Sequence, residues 1–186
     1  MTTYFSDISW LWWDKNLNDF ARRSIIRLDT VEGALLWKYS KKTSDSILEI
    51  GRGYGGSTVL LLEATAGTNR IITSIDCNPD IINNKCKKSF HQYNNRLKLI
   101  NEFSSKAIIK YNYDLLFIDG DHTYNGVKAD TTIHWEKLNV GGFVVYHDYY
   151  YDAIKQFCSE WVSQGQMEKI EIVRSMIVFK KITKVS

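Results

Sequence analysis

Apolar residues in this chain fall into short blocks of four to six, separated by longer segments in which apolar and polar positions recur at helical spacing. The blocks at 46–50, 71–76, 97–100, 115–119 and 143–147 are rich in Ile, Leu, Val and Phe and too short for helices, so they read as strands. Their near-continuous apolar character predicts burial on both faces. The segments at 57–65, 79–92, 104–110 and 125–137 read as the helices between them, and 152–164 as one more after the fifth strand. Such alternation predicts a parallel sheet with crossover helices. Upstream, 29–42 carries Val31, Ala34, Leu35 and Trp37 at helical spacing, with Asp29 or Thr30 as N-cap.

The end of the chain departs from the alternation. Two β-rich runs at 169–174 and 176–181 are separated by almost nothing, which predicts a tight antiparallel hairpin. With 186 residues, 44% hydrophobic content, one proline and no repeat or low-complexity stretch, a single domain is expected over 1–186. It divides into a helical and aromatic N-terminal extension, 1–45, and a core, 46–186.

The first strand runs into Glu49-Ile-Gly51-Arg-Gly53-Tyr-Gly55-Gly-Ser57. Glycine takes positive φ without steric cost and lets a ligand approach the main chain, so a strand, this loop and a helix form a nucleotide-site unit. Two readings of the loop stand side by side. Gly51-x-Gly53-x-x-Gly56 fits the dinucleotide fingerprint, and Glu49-x-Gly51-x-Gly53-x-Gly55 fits the first motif of S-adenosylmethionine (SAM) methyltransferases. Glu49 favours the second, because a carboxylate repels a pyrophosphate but suits the ammonium and sulfonium of SAM. Asp76, ending the second strand, is placed to accept both ribose hydroxyls. Asn78-Pro79-Asp80 after it reads as a helix start. An adenine would rest against residues 102 to 104, that is Glu102, Phe103 and Ser104, with Phe103 as a stacking ring or a core aromatic.

Charge and cysteine content narrow the partners. A net charge of +3 is too mild to imply nucleic acid, and Lys85, Lys87 and Lys88 read as a solvated helix face. The three cysteines lack Cys-x-x-Cys spacing, which fits a reducing, cytoplasmic setting without disulfides or zinc. Met1 to Asp7 shows no basic leader, and no apolar run is long enough for a bilayer. A cytoplasmic monomer or homodimer without a membrane partner is expected.

Two further strand ends carry ionisable groups: Asp119-Gly-Asp121-His122-Thr-Tyr124 and His147-Asp148-Tyr-Tyr-Tyr151. Ligands of open α/β folds bind at this edge of the sheet. If the two strands are neighbours, Asp119, His147 and Asp148 share one small volume, where two carboxylates and an imidazole suit Mg²⁺ or Mn²⁺. His91 and His134, in polar helical segments, are expected at the surface.

Taken together, Glu-Ile-Gly-x-Gly-x-Gly-Gly-Ser-Thr, Ser-Ile-Asp-x-Asn-Pro, Phe-Ile-Asp-Gly-Asp-His-x-Tyr and Gly-Gly-x-x-x-x-His-Asp-Tyr resemble class I SAM-dependent methyltransferases. The likeness, from about residue 30 onward, is to small enzymes related to macrocin-type sugar and catechol-type O-methyltransferases. It implies a Rossmann-like, seven-stranded, mostly parallel sheet with helices on both faces, closed by the antiparallel hairpin. It also implies SAM binding by Glu49, Gly51, Gly53, Tyr54, Gly55, Ser57, Asp76, Cys77, Glu102, Phe103, Ser104 and Asp119. In the catechol-like pattern the metal ligands fall on Asp119, His147 and Asp148, with His147 standing where an acid is usual. His122 stands where that pattern has its lysine base.

The implied activity is in-line methyl transfer to the oxygen of a small hydroxylated acceptor, with Asp119 and His122 catalytic and Mg²⁺ or Mn²⁺ assisting. Trp10-Leu-Trp-Trp13 and Tyr149-Tyr-Tyr151 are core or interface aromatics, or walls of the acceptor pocket. The rival functions are a nicotinamide-dependent oxidoreductase and a non-catalytic binding module on the same fold.

Overall fold

The computed structural model describes residues 4–13 and 25–182. Met1 to Thr3, part of the stretch read as lacking a leader, lie outside the described residues, as does 14–24 of the N-terminal extension. After a short helical turn at Phe5–Leu11 come α1 (Thr30–Lys42), β1 (Ser46–Ile50), α2 (Gly56–Ala64), β2 (Ile72–Ile75), α3 (Asn84–Gln92) and β3 (Leu97–Ile100). The second half holds β4 (Tyr113–Ile118), α4 (Tyr124–Trp135), β5 (Leu138–Tyr146), α5 (Asp152–Ser163), β6 (Met167–Val173) and β7 (Met176–Lys181).

The seven strands lie in the order β3-β2-β1-β4-β5-β7-β6. The first five are parallel, and β7 runs antiparallel to both β5 and β6. The Rossmann-like α/β fold read from the sequence is therefore present, hairpin included. The order reverses between β1 and β4, and the crevice at such a switch point is where ligands bind in these folds. Each face of the sheet carries an apolar layer: Leu36, Leu60 and Leu61 meet Ile47 and Phe117 on one, and Phe157 and Trp161 meet Leu116 and Tyr146 on the other. Val59 to Leu62 of α2 are wholly buried. At about 1.5–3 kcal/mol for each such side chain, this turn anchors the glycine loop that precedes it.

Local chemistry explains the element ends. Asp29 caps α1, its carboxylate accepting the Val31 and Glu32 amides while the Glu32 side chain accepts the Asp29 amide. The helix expected over 79–92 is broken: Pro79–Ile81 makes one tight turn, and α3 starts afresh after Asn83, whose side chain accepts the Lys85 amide. The helix expected over 104–110 is a single turn, Ser104–Lys106, and the chain is extended from Ala107. Ala107 and Ile109 are buried while Ile108 between them is 78% exposed, an alternation that suits extended chain and not a helix. Edge strand β3 is only half buried, whereas burial on both faces was expected, because among the described residues no strand pairs with it on the side away from β2.

Candidate active site

The glycine loop is folded by contacts its own residues dictate. Gly51 has φ +88°, and a Cβ there would lie 2.0 Å from the Asp119 carbonyl oxygen, because β1 and β4 end side by side. Gly53 has φ +50° with open space where a Cβ would project. Its amide donates to Asp76 Oδ2 at 2.8 Å, and the Asn78 amide donates to Asp76 Oδ1 at 2.7 Å. Asp76 thus holds the loop against β2 and still borders the cavity. Gly55, at φ +90°, begins α2 and faces Phe90, Cys86 and Ile82 on the far side.

A cavity of about 630 Å³ lies above this loop, a size suited to a cofactor with part of its substrate. Gly51, Gly53, Tyr54 and Ser57 line it from the loop, Asp76 and Cys77 from the end of β2, and Glu102, Phe103 and Ser104 from beyond β3. Asp119, His122, His147 and Asp148 close its other end. Two of the expected cofactor residues are absent from the walls. Gly55 faces the core, and Glu49 is wholly buried beneath the loop, accepting hydrogen bonds from Ser57, Thr58 and Ser74 hydroxyls. Burial pushes the Glu49 carboxyl up, against those hydroxyls and Arg52. Glu49 therefore organises the start of α2 and β2 instead of meeting the cofactor's charges. Phe103 is 58% exposed at the rim, which excludes the core role.

Several wall residues were invisible in the sequence. Ile25 to Leu28 cross the start of α2, with the Ile26 Cα 2.6 Å from where a Gly56 Cβ would stand. Arg52, between two glycines of the motif, is buried and donates to the Ser74 carbonyl at 2.8 Å and Asn101 Oδ1 at 2.7 Å. Trp10 to Trp13 do not reach the cavity; Trp12 Nε1 instead donates to the Leu28 carbonyl at 2.7 Å and props the wall from behind. Tyr151 approaches the site by stacking on His122, ring centres 4.9 Å apart, while Tyr149 packs on Phe179. His134 is buried, not exposed as expected: α4 turns it toward the Ser104 carbonyl, 3.1 Å from its Nε2, and burial lowers its pKa.

The ionisable strand ends converge as the strand order requires. One ligand atom each from Asp119, His122 and Asp148 lie within 4.8 Å of one another, a set of oxygen and imidazole donors that fits a divalent cation. His122 Nε2 sits 3.0 Å from Asp148 Oδ2 and 3.9 Å from Asp119 Oδ1, yet is buried without an aligned hydrogen bond to either. The carboxylates of Asp119, first, and Asp148 raise the His122 pKa against burial, which lowers it. Burial pushes Asp119 up, but the two imidazoles outweigh it and hold the carboxyl below its ordinary value. Asp148 itself takes a left-handed φ of 54°, a conformation that aspartate tolerates better than most residues.

His147 is not among the three converging donors, contrary to the expected ligand set. Its Nδ1 faces Asp119 Oδ1 at 3.0 Å and Asp148 Oδ2 at 3.3 Å, and its Nε2 faces Glu32 Oε2 at 3.5 Å. Carboxylates facing both nitrogens, with the Ser175 hydroxyl 3.4 Å from Nε2, favour the imidazolium form of the ring. Burial lowers its pKa, but Asp119 first, then Asp148 and Glu32, more than reverse this and bring it to about 9. The folded value lies above the ordinary value of about 6.5, so the stabilisation is full below that pH and is lost as pH rises through about 9. In EDTA, the stability gap between wild type and His147→Gln should therefore be wide at pH 6 and narrow by pH 10, as read by urea unfolding; a constant gap would contradict the imidazolium.

With this geometry in view, comparison with known proteins is decisive for the family. The methyltransferase domain family matches residues 48–149, more than half of the chain. The chain belongs to the methyltransferase domain family. This chain thus carries its glycine loop in a methyltransferase domain, which decides against the dinucleotide fingerprint. It is 30% identical over 118 residues to the uncharacterized protein R132 of Acanthamoeba polyphaga mimivirus, covering 59% of this chain and 53% of that one. The chain thus spans about half the length of this curated relative. Among solved structures, the methyltransferase PaMTH1 of Podospora anserina, bound to S-adenosylhomocysteine (SAH), superposes with a TM-score of 0.72 at 16% identity, covering 96% of this chain and 88% of that one. The O-methyltransferase TomG of Streptomyces achromogenes, in complex with SAM, has a TM-score of 0.69 at 12% identity, covering 96% and 89%. At such identities these two structures establish the methyltransferase fold.

Proposed function

We propose that this methyltransferase transfers the methyl group of SAM to a hydroxyl oxygen of a small acceptor, with His122 as the base. The observation that carries the reading is the meeting of Asp119, His122 and Asp148 at one end of the cavity whose other walls are the glycine loop and Asp76. When bound, SAM supplies an activated methyl group on a positively charged sulfur. Gly51 and Gly53 leave the main chain open to close approach, Asp76 accepts the ribose hydroxyls, and the backbone of Glu102, Phe103 and Ser104 flanks the base. The buried Nε2 of His122, lacking an aligned donor or acceptor, takes the proton of the acceptor hydroxyl as it attacks. The raised pKa of His122 means that the base is free only above its ordinary range, so activity rises with pH on the acid side.

A second reading is favoured by the same three donors. A divalent cation such as Mg²⁺ or Mn²⁺, held by Asp119, His122 and Asp148, would supply a lowered hydroxyl pKa at the acceptor. Radiolabelled methyl transfer from SAM across a panel of hydroxylated acceptors tests both. The base reading expects full turnover in EDTA, whereas loss in EDTA with recovery on adding Mn²⁺ assigns the three residues to a metal. Calorimetry that detects NAD binding but no SAM binding would overturn both, and SAM binding without turnover on any acceptor would support the non-catalytic module. We further propose a single catalytic domain, acting in the cytoplasm as a monomer or homodimer on small molecules and not on nucleic acid. Among the described residues no helix is long and apolar enough to cross a membrane.

A further inference from the structure

Asp130, on α4, is 6% exposed and lines the cavity beside Ser104, yet no motif of the chain points to it. Its Oδ1 accepts the Ser104 hydroxyl. Its Oδ2 has no hydrogen-bond or ion-pair partner among the described residues. A Cβ on Gly120 would lie 2.8 Å from that oxygen, so the missing side chain at 120, itself a wall residue, is what leaves Oδ2 open to the cavity. Burial, with Asp121 nearby, holds the carboxyl above its ordinary value. A buried carboxylate with one free oxygen and no cation beside it calls for a neutral N–H donor from a ligand.

We infer that Asp130 binds the 6-amino group of the donor's adenine, its Oδ2 accepting an N–H while Ser104 holds Oδ1. The inference rests on the proposed reading that SAM occupies this cavity, with its base against residues 102 to 104. The other acidic side chains on that side of the cavity are turned to their own surroundings: Glu102 Oε1 accepts the Phe103 amide at 2.8 Å and lies 3.8 Å from Lys106 Nζ, and Asp121 accepts the Thr123 amide at 2.9 Å and its hydroxyl at 3.0 Å. The acid that recognises the base therefore comes from α4, about thirty residues downstream of the strand end the base rests on. Asp130 is a specificity-determining residue of the cofactor site: it tells adenine from bases lacking an amino donor.

Calorimetry with SAH and with its purine-riboside analogue, which lacks only the 6-amino group, tests this without any knowledge of the acceptor. Wild type should bind SAH roughly 10- to 100-fold more tightly than the analogue, the range for a hydrogen bond to a charged acceptor. Asp130→Ala should weaken SAH binding and bring the two ligands to within about threefold of each other, with analogue binding little changed. Asp130→Asn, which keeps the shape and one carbonyl oxygen, should give an intermediate ratio and serves if the alanine variant fails to fold. Equal losses for both ligands, leaving the wild-type ratio intact, would overturn the inference and leave Asp130 as a support for Ser104. Failure of wild type to bind SAH at all would overturn the cofactor reading, and this inference with it.

Discussion

Replacing His122 with alanine is expected to lower methyl transfer by roughly 10²- to 10⁴-fold, the usual worth of a positioned general base, while leaving SAH affinity within a few-fold of wild type. The separation of the two effects follows from the geometry. His122 stands at the acidic end of the cavity, with Nε2 3.0 Å from Asp148 Oδ2, whereas the loop and Asp76 form the opposite wall. Its ring is held by stacking on Tyr151 and does not tie any strand to another, so its loss should cost little stability. Single-turnover transfer of labelled methyl groups and SAH calorimetry together check this. Unchanged turnover in a well-folded His122→Ala would remove the residue from the chemistry altogether. If a cation proves to be bound there, the same variant should also weaken Mn²⁺ binding, which calorimetry reads directly.

Gly51→Ala is expected to be the most damaging single-methyl change in the site. A Cβ at 51 would meet the Asp119 carbonyl oxygen at 2.0 Å and the Gly120 amide nitrogen at 2.9 Å. Both are backbone atoms of a loop tied to β1, since the Asp119 amide donates to the Ile50 carbonyl at 2.8 Å, so neither can swing aside. The positive φ of 88° adds its own penalty for any L side chain. A loss of about 3–5 kcal/mol of stability, and with it SAH binding, should be seen in urea unfolding and calorimetry. Gly53→Ala makes the contrast. Nothing lies within 4 Å of its would-be Cβ and φ is only 50°, so stability should fall by about 1–2 kcal/mol. The open space at Gly53 adjoins the cavity, so the same methyl should still weaken SAH binding. Equal stability for the two variants would show that β1 and β4 can separate at this edge.

Much of the fold was legible before any tertiary contact was known. β1 and β3 begin and end where their apolar blocks do, and Asp29 caps α1 as its neighbours imply. These features depend on local chemistry: side-chain periodicity, capping carboxylates and glycine torsions. The same locality explains the misjudged elements. The restart of the helix at Asn83 is itself a local cap that the apolar spacing over 79–92 hides, whereas β5 begins at Leu138 because β4 offers Tyr113 as its partner. The site was legible to the extent that it lies at strand ends. Asp76 and Asp119 follow β2 and β4 directly and Asp148 comes two residues after β5, and a parallel sheet carries all such ends to one edge.

The roles within that edge were decided by packing across the chain. Glu49 and Asp130 are both acids near the glycine loop, but the first is sealed under Ser57, Thr58 and Ser74 and the second opens on the cavity. His122 and His147 both border the cavity, yet Glu32, from a helix more than a hundred residues upstream, faces the Nε2 of His147, while the Nε2 of His122 has no hydrogen-bond partner among the described residues. The sequence by itself determined a SAM-type loop, a mostly parallel sheet with its hairpin and an ionisable edge, because these arise from contacts between near neighbours. Only the tertiary structure decided which of the like-charged residues face the ligand. That choice depends on whether α1, α4 or a neighbouring hydroxyl reaches each group first, and such contacts span 8 to more than 100 residues of chain.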